Sequence, residues 1–237
     1  MIRKKMRNSC NNCREQNMYA KDLISDVIPS IQPTETGGVG LQWMDTFHVS
    51  HLPVVVQNDY LGLISDVELF DRNSGNDPVG CPVSPFKPFV YEYQHLYEVI
   101  ELAARLDLSV VPVLSENNSY IGLISAGQLV KTFGELAAVN APGGILVLEL
   151  NGKDFLLSQI ARIVEDNDAK ILSCYVTSPV DSVNMEVTLK INRTDLTSII
   201  QTFIRYEYTV KASFRSRNKN EEQLRYNYNH FMMYLNV

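Results

Sequence analysis

No run of residues in this chain approaches the roughly 18 consecutive apolar positions that a membrane-crossing helix needs. The opening MIRKKMRNSCNNC lacks the apolar middle segment of a secretory signal. The expectation is a cytoplasmic protein with no membrane partner. Cysteine is scarce, with only Cys10, Cys13, Cys81 and Cys174, and in a reducing compartment these read as free thiols rather than a disulfide framework. Cys10-x-x-Cys13 offers half of a zinc site without a second pair of ligands nearby, and His48 and His51 have no carboxylate pair at ligand spacing, so no metal is expected. Gly-x-Ser-x-Gly and His-Glu-x-x-His are both missing, and no activated nucleophile is legible. No residue is therefore assigned a catalytic role, and the expectation is a protein that is not an enzyme. Gly37-Gly38-Val39-Gly40 lacks the Lys-Ser/Thr pair that completes a phosphate loop and falls within a helical stretch.

What is present begins with an uneven charge. Residues 1 to 17 hold Arg3, Lys4, Lys5, Arg7 and Arg14 against Glu15 alone, a net of +4 within a chain of −6, which leaves −10 for the rest. A body that acidic repels phosphate backbones, so no nucleic-acid partner is expected. Residues 1–18 read as a basic, disordered extension. With 45% hydrophobic residues in 237, the remainder has enough apolar content for a real core.

The most informative pattern is a repeat. YLGLISDVEL from Tyr60 recurs as YIGLISAGQL from Tyr120, and each is preceded by an apolar-Pro-Val step, Leu52-Pro53-Val54 and Val111-Pro112-Val113. A period of about 60 residues means two copies of one unit, each too small to bury its own apolar face. Their seam is then the expected functional surface. With the prolines in register, Pro29 falls on Pro88, Leu41 on Ile100 and Met44 on Ala103. In copy one a helix with Val39, Trp43 and Phe47 every four residues leads into strands Pro53 to Gln57 and Tyr60 to Ile64, turned at Asn58-Asp59, and then a helix from Asp66. Copy two repeats this with Leu96, Ile100 and Ala103 in helical phase, strands Val110 to Leu114 and Tyr120 to Ile124 around the loop 116–119, and a helix toward Phe133. An irregular connector, Asn73 to Pro88, separates the copies.

After Asn140-Ala141-Pro142-Gly143-Gly144 the pattern changes. Ile145 to Leu150 reads as a buried strand, Leu156, Ile160, Ile163 and Val164 as a helical stripe, and Ile171 to Val176 as a strand. Met185, Val187, Leu189 and Ile191 alternate as a strand with one wet face. Leu196, Ile199, Ile200, Phe203 and Ile204 form a second helical stripe, and Tyr208 to Phe214 alternate again. That β-α-β-β-α-β order predicts a ferredoxin-like unit. A short helix cued by Asn220 and Gln223 and the apolar run Phe231 to Leu235 close the chain. The fold class is α+β.

The paired phrases HLPVVVQNDYLGLIS and VVPVLSENNSYIGLIS resemble the cystathionine-β-synthase (CBS) domain, in which an apolar-Pro-Val strand and a Gly-apolar-apolar-Ser/Thr strand flank a ligand cleft. On this resemblance residues 19–135 are a tandem CBS pair, with copy one at about 19–75 and copy two at about 80–135. Residues 144–215 resemble an ACT domain in topology and pattern, residues 216–237 are a C-terminal helix and apolar tail, and the combination resembles bacterial regulatory proteins of the acetoin-utilisation type. The resemblance implies a homodimeric sensor that hosts AMP, ADP, ATP or S-adenosylmethionine, with the ACT-like domain transmitting the bound state. The ligand contacts it implies are Ile28, His51, Pro53, Ser65 and Glu68 in copy one, and Phe86, Val111, Pro112, Ser125 and Gln128 in copy two.

Two departures leave alternatives open. Where nucleotide-binding CBS copies place an Asp three residues after the Ser/Thr, this chain has Glu68 and Gln128. Ser-x-x-Glu and Ser-x-x-Gln are also capping boxes, which account for the same four residues without a ligand. Amino-acid-binding ACT domains place Gly before the helix of their first loop, whereas Asp154 stands there, read as an N-cap. The alternative reading is a ligand-free homodimeric scaffold whose clefts are packing and caps.

Overall fold

The repeat seen in the sequence is a repeat in space. A computed structural model describes residues 18–71, 77–80, 87–151, 155–178 and 184–215, and the chain divides into two compact units, 1–132 and 133–237. In unit one, copy one runs α1 (Gly37–Phe47), β1 (His51–Val56), β2 (Asp59–Ser65) and α2 (Asp66–Asp71). Copy two runs β3 (Val90–Tyr91), α3 (Leu96–Leu106), β4 (Val110–Leu114), β5 (Tyr120–Ser125) and α4 (Ala126–Leu136), whose residues from Phe133 onward already belong to unit two.

The hydrogen bonds repeat with the elements. Val90 pairs in parallel with Val113, as Ile31 does with Val54. Both hairpins carry a register irregularity at the same step, Val54/Val55 and Val113/Leu114. His48 and Asp107 end α1 and α3 in the left-handed conformation, at φ 53° and 51°. The proline spacing and the tyrosine spacing differ by one because copy two has the longer turn. Copy one turns at Gln57-Asn58, not at Asn58-Asp59 as the spacing suggested, since Gln57 takes φ 56° and Asp59 already pairs with Val56.

Segment 18–25 belongs spatially to the other copy. Ala20 N–H donates to Gln94 C=O and Leu96 N–H to Met18 C=O, each at 2.8 Å, and Ser25 N–H donates to Leu123 C=O at 2.9 Å. Gly122 makes this crossing possible. It sits at φ +154°, and a Cβ there would stand 2.5 Å from Ile24 Cγ2, so the glycine of the repeated phrase serves backbone approach.

Helix α1 buries a different stripe from the one its large residues suggested. Gly37, Gly40 and Met44 are buried, whereas Val39, Trp43 and Phe47 are half-buried. Gly40 faces Leu69 and Ile31 so closely that a Cβ would lie 2.9 Å and 3.0 Å from their Cδ1 atoms. A bare backbone turned inward lets α1 approach the core and rotates the bulky residues toward the rim. The connector contributes as well, with Val79 buried and its N–H bonded to Glu35 C=O at 2.7 Å.

Unit two holds β6 (Gly144–Asn151), α5 (Leu157–Glu165), β7 (Ile171–Thr177), β8 (Asn184–Ile191), α6 (Thr197–Arg205) and β9 (Thr209–Arg215). The four strands form one antiparallel sheet in the order β7-β8-β6-β9. Leu146, Leu148 and Leu150 of β6 join Val187, Leu189 and Ile191 of β8 in a core with Ile160, Ile163, Val164, Ile199 and Phe203 of the two helices. Strand β6 alternates buried with half-buried residues rather than being buried on both faces, because both helices lie on one side. Leu156 is the N-cap of α5 and Ile204 faces water, at 56% and 59% exposure, so neither belongs to the helical stripes drawn for them. Asp154, the residue read as that cap, the basic extension and the tail 216–237 lie outside the described residues.

Candidate functional site at the seam of the two copies

Each hairpin sets a polar side chain at the mouth of the following helix. Ser65 ends β2 opposite His51, and Ser125 ends β5 opposite Val110. Ser65 Oγ accepts the Glu68 N–H at 3.1 Å, and Ser125 Oγ accepts the Gln128 N–H at 3.2 Å. The serine half of both capping boxes is thus present, and each hydroxyl retains its own proton to donate. Asp66 N–H donates to Ser50 C=O at 3.0 Å and Ala126 N–H to Ser109 C=O at 2.9 Å, fixing each helix start on the opposite end of its hairpin.

Between the copies the symmetry breaks. Ser50 and Ser109 are repeat equivalents, yet only Ser109 turns its hydroxyl across the seam, where Oγ accepts Ser50 N–H at 3.0 Å and lies 3.1 Å from His51 Nδ1. Ser109 N–H also points at His51 Nδ1, at 3.4 Å. An amide can only donate, so Nδ1 is the acceptor and the ring proton sits on Nε2. Burial holds the His51 pKa below its usual value, against the opposing pull of Asp66 and Asp107. His51 is therefore a neutral imidazole that ties copy one to copy two.

At the hairpin tips a second tie forms. Asp59 bridges to Ser119, Tyr120 N–H donates to Asn58 C=O at 2.7 Å, and the Tyr60 and Tyr120 rings stack with centroids 6.4 Å apart. Tyr60 OH donates to Pro88 C=O at 2.8 Å, and burial pushes both phenols well above their ordinary pKa.

The structure therefore brings His51, Ser65 and Glu68 together in copy one, and Ser125 with Gln128 in copy two. Pro53, Val111 and Pro112 are buried strand residues, with Val111 at 0% exposure and the Pro53 carbonyl accepting Ile31 N–H at 2.9 Å. Ile28 is half-buried in the bend before Pro29, and Phe86 lies outside the described residues. The clefts differ in charge, since the first turn of α2 carries Asp66 and Glu68 whereas that of α4 carries no acid. Ser109 was not singled out from sequence, although its place one residue before Val110, matching Ser50 before His51, was a visible signal. Among the described residues no group of three or more His, Cys, Asp or Glu is placed to hold a metal ion, and no helix is long and apolar enough to cross a membrane.

In comparison with known proteins, residues 83–135 match the family model of the CBS domain. Among solved structures, a CBS domain pair/ACT domain protein from Thermotoga maritima is 18% identical, with a TM-score of 0.44, covering 50% of this chain and 98% of that one. A putative acetoin utilization protein from Vibrio cholerae is 18% identical, with a TM-score of 0.43, covering 52% and 94%. CBSX2 in complex with AMP is 18% identical, with a TM-score of 0.43, covering 49% and 96%.

Proposed function

We propose that both copies are CBS domains, and that they form a regulatory, non-enzymatic module taking an adenine nucleotide or S-adenosylmethionine at the cleft of copy one. The observation that carries the reading is the internal equivalence: copy two matches the CBS family over residues 83–135, and copy one repeats its strand pairing, its register irregularity and its serine cap. In this reading Glu68 accepts from ribose hydroxyls and Ser65 donates beside it. The carboxylates of Asp66 and Glu68 suit hydroxyl donors and disfavour phosphate at the same spot, so phosphates point away from α2. Gln128 has no charge and Val110 replaces His51, which makes copy two the weaker site. Unit two, with its ferredoxin-like strand order, acts as an ACT-like domain that carries the state onward within a cytoplasmic homodimer. The transmission is a population shift, in which ligand favours one arrangement of the copies across the His51–Ser109 seam. The alternative, a ligand-free scaffold, rests on the caps, which Ser65 and Ser125 already form without any ligand.

Calorimetric titration with AMP, ADP, ATP and S-adenosylmethionine at millimolar concentration distinguishes the two. The sensor reading expects saturable heat that is lost in Glu68→Gln with little change in melting, since a Gln at this position also completes a capping box. No heat from any of the four compounds would leave the scaffold.

A further inference from the structure

The face of the unit-two sheet turned away from α5 and α6 is only half covered. Its outward positions include Ile145 and Val147 on β6, Tyr175 on β7, and Ala212 and Phe214 on β9, with Val147 opposite Ala212 and Ile145 opposite Phe214. On this face β8 is polar, with Thr188 opposite Val147 and Tyr175, and Lys190 opposite Ile145; a face left wholly to water would be polar at the β6 and β9 positions as well. Toward β7 the end of α4 supplies cover: the Phe133 ring lies 6.0 Å from that of Tyr175, and Ser173 Oγ donates to Ala137 C=O at 2.9 Å. Toward β9 that cover ends, with Phe214 at 58% exposure and Ile145 and Val147 half-buried. The other end of the face is polar, closed by the Lys211–Glu186 ion pair.

The chain leaves β9 at Arg215, one residue past Phe214, with residues 216–237 still to come and the apolar run Phe231-Met232-Met233-Tyr234-Leu235 among them. The intervening residues 216–230 reach at most about 50 Å, and neighbouring strands are about 5 Å apart, so the run can return to any point on the face. We propose that Phe231–Leu235 covers the β6–β9 half of the sheet of its own chain. The tether holds the run at an effective concentration on the order of millimolar, which favours it over the same run of a second copy. Two adjacent methionines suit an irregular surface of mixed Ile, Val, Ala and Phe. The proposal is independent of any ligand in unit one.

Photocrosslinking of the full chain tests it. With p-benzoylphenylalanine replacing Phe214, irradiation and trypsin digestion should yield an adduct to the terminal peptide that follows Arg225, in a band of monomer mass, at a yield unchanged by about tenfold dilution. The same probe at Ile204, which is 59% exposed on α6 across the sheet, should not label that peptide. Met232→Asp with Met233→Asp should lower the Phe214 adduct at least about fivefold while the melting transition stays cooperative. An adduct of dimer mass would hand the face to a second copy and overturn the proposal. An adduct to another segment, none at all, or a yield indifferent to the aspartates would overturn it equally.

Discussion

Ser50 and Ser109 occupy equivalent places in the repeat, and replacing each with alanine tests whether the seam is asymmetric. Ser109→Ala removes the acceptor of the Ser50 N–H, 3.0 Å away, and the hydroxyl 3.1 Å from His51 Nδ1. A net intramolecular hydrogen bond contributes about 0.5–1.5 kcal/mol, and the exposed Ser50 amide regains water, so the expected loss is about 1–2 kcal/mol. The Ser50 side chain plays no part in that network, and Ser50→Ala should stay within about 0.5 kcal/mol of the parent. Differential scanning calorimetry suits the comparison because two units need not melt as one. The loss should fall on the transition of residues 18–132, at about 4–8 °C for Ser109→Ala. Equal losses in the two variants, or a larger one for Ser50→Ala, would refute the asymmetric seam.

Three further outcomes are expected. Because burial lowers the His51 pKa, the unfolded chain binds its proton first as pH falls; the stability His51 contributes is complete above its unfolded pKa of about 6.5 and declines below it. His51→Gln should flatten that part of the acid-side slope in urea titrations run from about pH 7.5 to 5.5, and superimposable profiles would remove His51 from the account. Gly122→Ala places a methyl 2.5 Å from Ile24 Cγ2 at φ +154°; it should cost about 2 kcal/mol or more, and Ile24→Ala should restore part of that loss in a double-mutant cycle, so strict additivity would count against the crossing of segment 18–25. Phe203→Ala removes a fully buried ring packed edge-on against Tyr208; a loss of about 3–5 kcal/mol confined to the unit-two transition is expected, and a loss under about 1 kcal/mol would contradict that core.

Much of the fold was legible because periodicity reports burial directly. The repeated phrase located both hairpins, since an apolar-Pro-Val strand followed by a Gly-containing strand admits few other arrangements. The alternation Met185 to Ile191 located β8 with its wet and dry faces. Ser-x-x-Glu and Ser-x-x-Gln marked two helix starts, because a cap is a contact between residues three apart. The same locality explains what was missed. His95 caps α3, its Nδ1 accepting Tyr97 N–H at 3.2 Å while Glu98 Oε1 accepts His95 N–H at 3.1 Å, but histidine is outside the usual set of capping residues.

The sequence by itself determined which segments of each copy become paired strands, because strand alternation and caps act over a few positions. The register of copy one, with its turn at Gln57-Asn58 and its irregularity at Val54/Val55, came from the structure. The sequence also set the chemical difference between the copies, Glu68 against Gln128 and His51 against Val110. Only the tertiary structure decided which face of α1 goes inward, since Gly40 is read as a helix weakener until Leu69 and Ile31 are seen against it. It alone decided that segment 18–25 lies on copy two, and that Ser109 rather than Ser50 bridges the seam to His51. The last two are contacts between residues more than 50 positions apart, as with His51 and Ser109, and no local pattern encodes them. They arise where two similar but unequal surfaces are pressed together, and the better of two nearly equivalent hydrogen-bond arrangements prevails.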